Sequence, residues 1–129
     1  MTTFRTPQVV LFTRDIDRAV DFYGAVGFRE AFRTPPEGPP IHVDLALDGY
    51  RLGLATEAST REDHGLEPVA AGQRAAVILW TDDVPAGYAR LVELGASPIT
   101  PPRPWLDRLL IAWVEDPDGH LVQVVQATD

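Results

Sequence analysis

The chain has 129 residues and no cysteine, so it is long enough for one compact domain and can form neither a disulfide nor a thiolate metal site. Its formal net charge is −8 and all 11 basic residues are arginines, a balance that argues against nucleic acid as a partner. No segment reaches the ~18 apolar residues that a membrane span needs. The N-terminal residues lack a signal-peptide pattern, so we expect a cytoplasmic protein that does not engage a membrane.

The first half of the chain predicts one strand, one helix and three more strands. Residues 8–13 are apolar, β-branched or aromatic, which favours a strand. Asp15 is a suitable N-cap for the helix that follows, in which apolar residues recur at helical spacing. Gly24 and Gly27 favour the end of that helix. The three further strands are predicted at about 28–33, 41–47 and 50–56.

The second half of the chain predicts the same order of elements. Residues 57–73 are polar, contain Gly and Pro and show no clear period, so they are predicted to be an irregular linker. A strand then leads into a helix that begins after Asp83, with Pro85 in its first turn. The last three strands are predicted at about 97–100, 108–115 and 120–126.

An internal repeat accounts for this recurrence. "VVLFTRDI" at 9–16 matches "VILWTDDV" at 77–84, with four identical residues. The second copy, which begins at 77 where the first begins at 9, therefore lies 68 positions after the first. "DGYRLGLAT" at 48–56 matches "DGHLVQVVQ" at 118–126. Each copy therefore predicts one βαβββ unit.

The tandem βαβββ unit, with the pattern D-[IV]-x-x-A…FY…GF and the turn "DPDGH" at 116–120, resembles the vicinal oxygen chelate superfamily. That superfamily includes glyoxalase I, extradiol dioxygenases, fosfomycin resistance enzymes and bleomycin resistance proteins. The resemblance implies a single α+β domain in which two βαβββ modules, at about 5–56 and 74–127, form a half-open cup. It also implies a homodimer, because such cups commonly use residues of both chains.

The metal positions of the superfamily are altered in this sequence. In metal-dependent members, four ligands come from pseudo-equivalent positions on the first and fourth strands of each module. The repeat assigns these positions to Gln8, Gly53, Ala76 and Gln123. Glycine and alanine supply no donor atom, and two neutral amides do not offset the desolvation of a divalent ion. We therefore predict no metal at this site and no cofactor.

Strand alternation predicts which side chains face the cup. If Gln8 faces it, Phe12 does so in the same strand, and Trp80 in the second copy. Arg51 and Gln123 are predicted to face it from the fourth strand of each module. The alternate residues are predicted to pack beneath the helices, namely Val9, Leu11, Val77 and Leu79.

Two further tryptophans have more than one interpretation. Trp105 lies in "PPRPWLDR", which predicts an irregular segment between strands, and it could form a lid that stacks on a flat ligand or could pack at a subunit interface. Trp113 lies in a predicted strand, where it could contact a ligand or pack in the core. Trp80 could contact a ligand or simply fill the cup.

The histidines offer a weak case for catalysis. His42 and Asp44 are two positions apart in a predicted strand and so share a face. They could act as an acid–base pair, or they could be polar side chains at a strand edge. His64 and His120 are expected at the surface.

The sequence thus predicts a metal-free protein of the bleomycin resistance type that captures a planar or cationic small molecule, with no catalytic residue. The predicted ligand-binding residues are Gln8, Phe12, His42, Arg51, Trp80, Trp105, Trp113 and Gln123. One alternative is a metal-dependent glyoxalase-like lyase or dioxygenase with displaced ligands. A metal-free enzyme using His42 and Asp44 is another.

Overall fold

The computed structural model describes residues 5–69 and 75–128, and contacts between its residues divide the chain into two compact units. Unit 1 extends to Pro68 and unit 2 begins at Val69. The elements of unit 1 are β1 (Val9–Thr13), α1 (Ile16–Val26), β2 (Arg29–Thr34), β3 (His42–Leu47), β4 (Tyr50–Thr56) and α2 (Glu57–His64). The elements of unit 2 are β5 (Ala76–Trp80), α3 (Val84–Glu93), β6 (Ser97–Trp105), β7 (Leu109–Glu115) and β8 (Leu121–Ala127).

Each unit contains one four-stranded mixed sheet. In unit 1 the strand order is β1-β4-β3-β2, and in unit 2 it is β5-β8-β7-β6. The first strand of each unit runs parallel to the fourth, and the other neighbours are antiparallel. The predicted fold class, two βαβββ modules in tandem, is therefore confirmed.

The internal repeat extends to individual hydrogen bonds. Asp15 accepts from the Arg18 amide at 3.1 Å, and Asp83 accepts from the Ala86 amide at 3.0 Å, so both predicted N-caps are present. Each cap also donates its own amide to a threonine hydroxyl two residues earlier, at 3.1 Å in unit 1 and 3.2 Å in unit 2. The two copies therefore begin their helices in the same way.

One helix covers one face of each sheet. A Cβ at Gly27, just after α1, would lie 3.8 Å from the Leu47 side chain, and a Cβ at Gly87 in α3 would lie 3.3 Å from the Val124 side chain. The β3 residues Val43 and Leu45 alternate in step with Leu47 and are buried. The prediction for Leu11 is correct, since it is 8% exposed, but Val9 at the start of β1 is 57% exposed and does not pack beneath the helix. Val77 and Leu79 are half-buried.

The stretch predicted to be an irregular linker contains helix α2, so that prediction was wrong for residues 57–64. Thr56 caps α2 by accepting from the Ser59 amide at 3.1 Å, and Gly65 ends it in the left-handed region at φ 67°. A short polar helix with no apolar stripe has no periodic signal, which explains the error. Residues 70–73 of the predicted linker, and residue 74, lie outside the described residues.

Strand β6 is longer than predicted, because it runs through the proline-rich segment to Trp105. It pairs only with β7 and thus forms an edge of the sheet, where a missing proline N–H is tolerated. Its register shifts between Pro98 and Thr100 and again between Thr100 and Arg103. Trp105 is therefore a strand residue rather than part of an irregular segment.

None of the helices in the described part of the chain is both long enough and apolar enough to cross a membrane.

Candidate functional site

The face of the unit 1 sheet that points away from α1 carries the residues predicted for the cup. We call it the open face of unit 1. One row across the strands contains Val10, Gly53, Asp44 and Phe32, and the next row contains Phe12, Ala55 and His42. Val10 is 38% exposed and Phe32 is 50% exposed, although both are apolar.

Asp44 is the centre of a polar cluster on this face. Its Oδ1 accepts a hydrogen bond from Gln8 Nε2 at 2.6 Å and lies 2.7 Å from His42 Nε2. This second bond can form when His42 Nε2 carries a proton, because a carboxylate oxygen accepts. Arg51 Nη1 lies 3.7 Å from the other oxygen, Oδ2. The cluster joins Gln8, His42 and Arg51, three of the predicted site residues, through an acid that the predicted site list does not contain.

Gly53 is packed directly against this cluster. A Cβ at position 53 would lie 2.8 Å from Gln8 Nε2, 2.9 Å from Val10 Cγ2 and 3.2 Å from Asp44 Oδ1. These distances are shorter than ordinary van der Waals contacts. Only glycine therefore fits here while Gln8 and Asp44 are bonded.

A cavity of about 540 Å³ lies beside the cluster at one end of the sheet. Gln8 and Arg51 line it, together with the exposed Tyr50 at the start of β4. The other lining residues come from the segment before β1, from the start of β1 and from the β3–β4 turn: Thr6, Pro7, Val9 and Gly49. The polar cluster can therefore be reached from solvent.

The corresponding face of unit 2, pointing away from α3, carries all three tryptophans. We call it the open face of unit 2. Trp113 of β7 pairs with Gln123 of β8, which pairs in turn with Ile78 of β5. Trp80 lies in the next row, opposite Val125. Trp105 of β6 lies opposite Leu109 of β7. Leu109 precedes Trp113 by four residues in the same strand, so the side chains of Leu109, Trp113 and Trp105 point to the same face.

Exposure differs among the residues of this face. Trp80 is 67% exposed, Trp105 is 49% exposed and Trp113 is half-buried. Val125 and Ile111 on the same face are buried. With neighbouring strands about 4.8 Å apart and residues rising about 3.3 Å along each strand, the tryptophan Cα atoms are spaced at roughly 10–15 Å. A face of this kind offers separate indole surfaces around a buried apolar floor.

The turn that follows Trp105 is unusual. Leu106 and Asp107 have φ values of 57° and 60°, in the left-handed region that favours glycine or asparagine. Leu106 is also 63% exposed. The sequence gives no glycine signal for this turn, so the hairpin that presents Trp105 could not be predicted from it.

The residues at the superfamily's metal positions do not fit a metal ion. Gly53 and Ala76 have no side-chain donor atom, and Gln8 and Gln123 are neutral amides that bring no charge to offset the desolvation of an ion. In the described residues no three His, Cys, Asp or Glu side chains gather in a way that could hold a metal. Asp44 itself is bonded to Gln8 and His42, so a metal would have to displace existing donors.

The structure thus sorts the predicted site residues into two groups. Gln8, Phe12, His42 and Arg51 share the open face of unit 1, and Trp80, Trp105, Trp113 and Gln123 share the open face of unit 2. Phe32 was missed. A register shift between Glu30 and Phe32 breaks the alternation of β2, so no regular pattern places Phe32 beside Asp44.

A scan against protein-family models matches residues 5–124 to the Glyoxalase/Bleomycin resistance protein/Dioxygenase superfamily. The chain therefore belongs to this superfamily, and the resemblance noted in the sequence is confirmed. A comparison with curated proteins gives no match.

Solved structures show what the chain is similar to in more detail. It is 30% identical to TioX from Micromonospora sp. ML1, with a TM-score of 0.72, covering 97% of this chain and 100% of that one. It is 26% identical to TnmS3, an antibiotic binding protein from Streptomyces sp. CB03234, with a TM-score of 0.71 and 99% of each chain covered. A glyoxalase-related enzyme from Fulvimarina pelagi shares the fold at 22% identity, with a TM-score of 0.80, covering 95% of this chain and 87% of that one.

Proposed function

We propose that the protein binds a small planar molecule reversibly and releases it unchanged, so that it acts by sequestration. The observation that carries the proposal is the set of three tryptophans on one face of the unit 2 sheet, two of them about half exposed or more. Contiguous exposed apolar surface on a soluble protein marks an interaction or ligand-binding site. Indole rings bind flat ligands by stacking and by burying apolar area.

Gln123 supplies the polar group that such a site needs. It lies between Trp113 and Ile78 in one row of the open face, and its amide can both donate and accept a hydrogen bond. Small-molecule sites typically combine apolar walls with a few polar groups that orient the ligand. The open face of unit 2 has this composition.

One relative supports a binding function. TnmS3 is named as an antibiotic binding protein, and it matches this chain over almost the whole length of both. An antibiotic is therefore the class of ligand that we propose, with protection of the cytoplasm from a toxic compound as the biological role. The donors at the superfamily's metal positions do not favour a lyase or dioxygenase reaction, since two of the four are Gly53 and Ala76.

Titration with 2-naphthamide, a neutral planar probe, tests the proposal. Calorimetry measures the stoichiometry and tryptophan emission reports contact with the open face of unit 2, while chromatography of the recovered probe detects any product. We expect saturable binding of one probe per chain, quenched emission and unchanged probe. Lack of binding contradicts the proposal, and turnover of a carbonyl or catechol substrate in the presence of a divalent metal would favour the enzyme.

We also propose that the protein is a homodimer. Several large apolar side chains that are not assigned to ligand binding are exposed on the chain taken alone, among them Ile41 and Ile99. Burying such side chains against a second copy would remove apolar area from water. Light scattering after size-exclusion chromatography measures the mass directly, and a mass of one chain at micromolar concentration contradicts the dimer.

A further inference from the structure

The geometry points to Asp44 as a recognition group for a cationic ligand, so that the protein selects planar molecules bearing an amidinium or ammonium group. This inference concerns the open face of unit 1 by itself. It rests on the proposed capture of a small planar molecule and names the chemical class of the molecule that this face binds. Four features of the open face of unit 1 carry it.

The first feature is the unequal use of the two carboxylate oxygens. Both hydrogen bonds to Asp44, from Gln8 and from His42, end on Oδ1. Among the described residues, the partner of Oδ2 is Arg51, and its separation of 3.7 Å is too long for a hydrogen bond. Oδ2 therefore keeps the capacity to accept a strong, charge-assisted hydrogen bond from a ligand.

The second feature is the weakness of the existing ion pair. The Arg51 side chain is 52% exposed, and an exposed pair without a hydrogen bond contributes little because water and salt screen it. The side chain is long and flexible, so it can move away from Oδ2 at small cost. A ligand cation can thus take the place of the guanidinium without leaving the carboxylate uncompensated.

The third feature is the position of the carboxylate. Asp44 as a whole is 9% exposed, and its side chain keeps 13% of its surface in contact with solvent. A charge that is largely removed from water attracts an opposite charge more strongly than a surface carboxylate does. Gln8 and His42 hold the carboxylate in one orientation, so it does not have to be ordered when the ligand binds.

The fourth feature is the aromatic side chain beside the carboxylate. Phe32 is the register partner of Asp44 on β2 and is 50% exposed. A planar cation bonded to Oδ2 could place its face or its charge against this ring, which adds a cation–π contribution. The acidic net charge of −8 acts in the same direction at long range.

Three probes with one ring system separate charge from shape: 2-naphthamidine, 2-naphthamide and 2-naphthoate. They carry a positive, a neutral and a negative group on the same planar ring. We expect calorimetry to show that the wild-type protein binds the amidine at least about tenfold more tightly than the amide. The reason is that one hydrogen bond between charged groups contributes an affinity difference of about this size. The naphthoate should bind more weakly than the amide.

Two variants assign the preference to Asp44. Asp44→Asn should bring the ratio of amidine to amide affinity close to one, because the asparagine has no charge. Arg51→Met removes the competing cation and should raise the amidine affinity by roughly two- to fivefold. Asp21→Asn and Arg18→Met, both on α1 on the other side of this sheet, change the net charge by the same amount and should leave the ratio unaltered.

Each result has a definite meaning. Equal affinity for amidine and amide in the wild type overturns cation recognition but leaves capture intact. Retention of the preference for the amidine in Asp44→Asn also overturns cation recognition. A loss of amidine affinity in Arg51→Met overturns it as well, and Arg51→Met is the deciding variant if Asp44→Asn does not fold. If none of the three probes binds, the proposed function itself fails and the inference falls with it.

Discussion

Gln8 and Asp44 lie 36 positions apart in the chain and are joined by a 2.6 Å hydrogen bond that fills the space beside Gly53. Two positions where metal-dependent relatives place ligands, 8 and 53, are therefore coupled in this protein. The amide at one position occupies the volume that a side chain at the other would need. The absence of a metal-ligating side chain at position 53 is thus required by the packing of Gln8 against Asp44.

Gly53→Ala should destabilise the protein by about 1–3 kcal/mol, because the added methyl group overlaps the Gln8 amide and the Val10 side chain. Urea denaturation followed by circular dichroism measures the change. Gly24→Ala is the matched control, since nothing lies within 4 Å of a Cβ there. In a helix this control should stabilise by about 0.5–1 kcal/mol. Equal effects of the two substitutions would contradict the crowding at position 53.

Trp105→Ala and Trp80→Ala should each weaken binding of 2-naphthamide by roughly 1–3 kcal/mol, if their indoles stack on the ligand. Calorimetry with the purified variants measures the loss. Leu66→Ala is the control, because Leu66 is also exposed, at 56%, but lies in the segment after α2 and on neither open face. A tryptophan whose removal leaves the affinity unchanged does not belong to the site.

Asp83→Ala should cost about 0.5–2 kcal/mol of stability, because the amide of Ala86 then loses its cap at the start of α3. Asp15→Ala should cost a similar amount, since the same bond recurs in unit 1. Thermal unfolding measures both. Asp82→Ala removes the same charge from the neighbouring position and should have a much smaller effect. A large effect of this control would point to net charge instead of capping.

The hydrogen bond from Arg33 lowers the pKa of Glu30 below its ordinary value of 4.5, although burial opposes the shift slightly. A carboxyl group whose pKa is lower in the folded state stabilises the protein above the unfolded pKa, and this contribution is lost as the pH falls through the folded pKa. Glu30→Gln should therefore lower the unfolding midpoint at about pH 7, and the difference from wild type should vanish at about pH 2. The control Glu37→Gln should show no such pH-dependent difference.

Incubation with Zn²⁺, Mn²⁺ or Ni²⁺ followed by gel filtration should leave no stoichiometric metal on the protein. The reason is the donor set, in which Gly53 and Ala76 supply no side-chain donor and Gln8 and Gln123 are neutral amides. Metal content is measured by atomic emission. One ion per chain would show that the metal ligands lie at other positions. It would revive the enzyme alternative.

Much of the architecture followed from local patterns. The repeat of "VVLFTRDI" as "VILWTDDV" predicted two modules, and Asp15 and Asp83 predicted the starts of α1 and α3, because capping depends on a few adjacent residues. Helix α2 was missed because its polar sequence has no apolar stripe. The length of β6 was missed because prolines normally argue against a strand and only an edge position permits them.

Only part of the candidate site could be predicted from the sequence. Alternation along a strand assigned Gln8, Phe12 and Trp80 to one side of their strands, and the duplicated pattern of the chain determined where each module begins. Which strands lie side by side, and in what register, was decided by hydrogen bonds between residues far apart in the chain. Only that pairing places Phe32 beside Asp44 and brings Trp105 onto the face of Trp113, because a bulge changes the face of every residue beyond it.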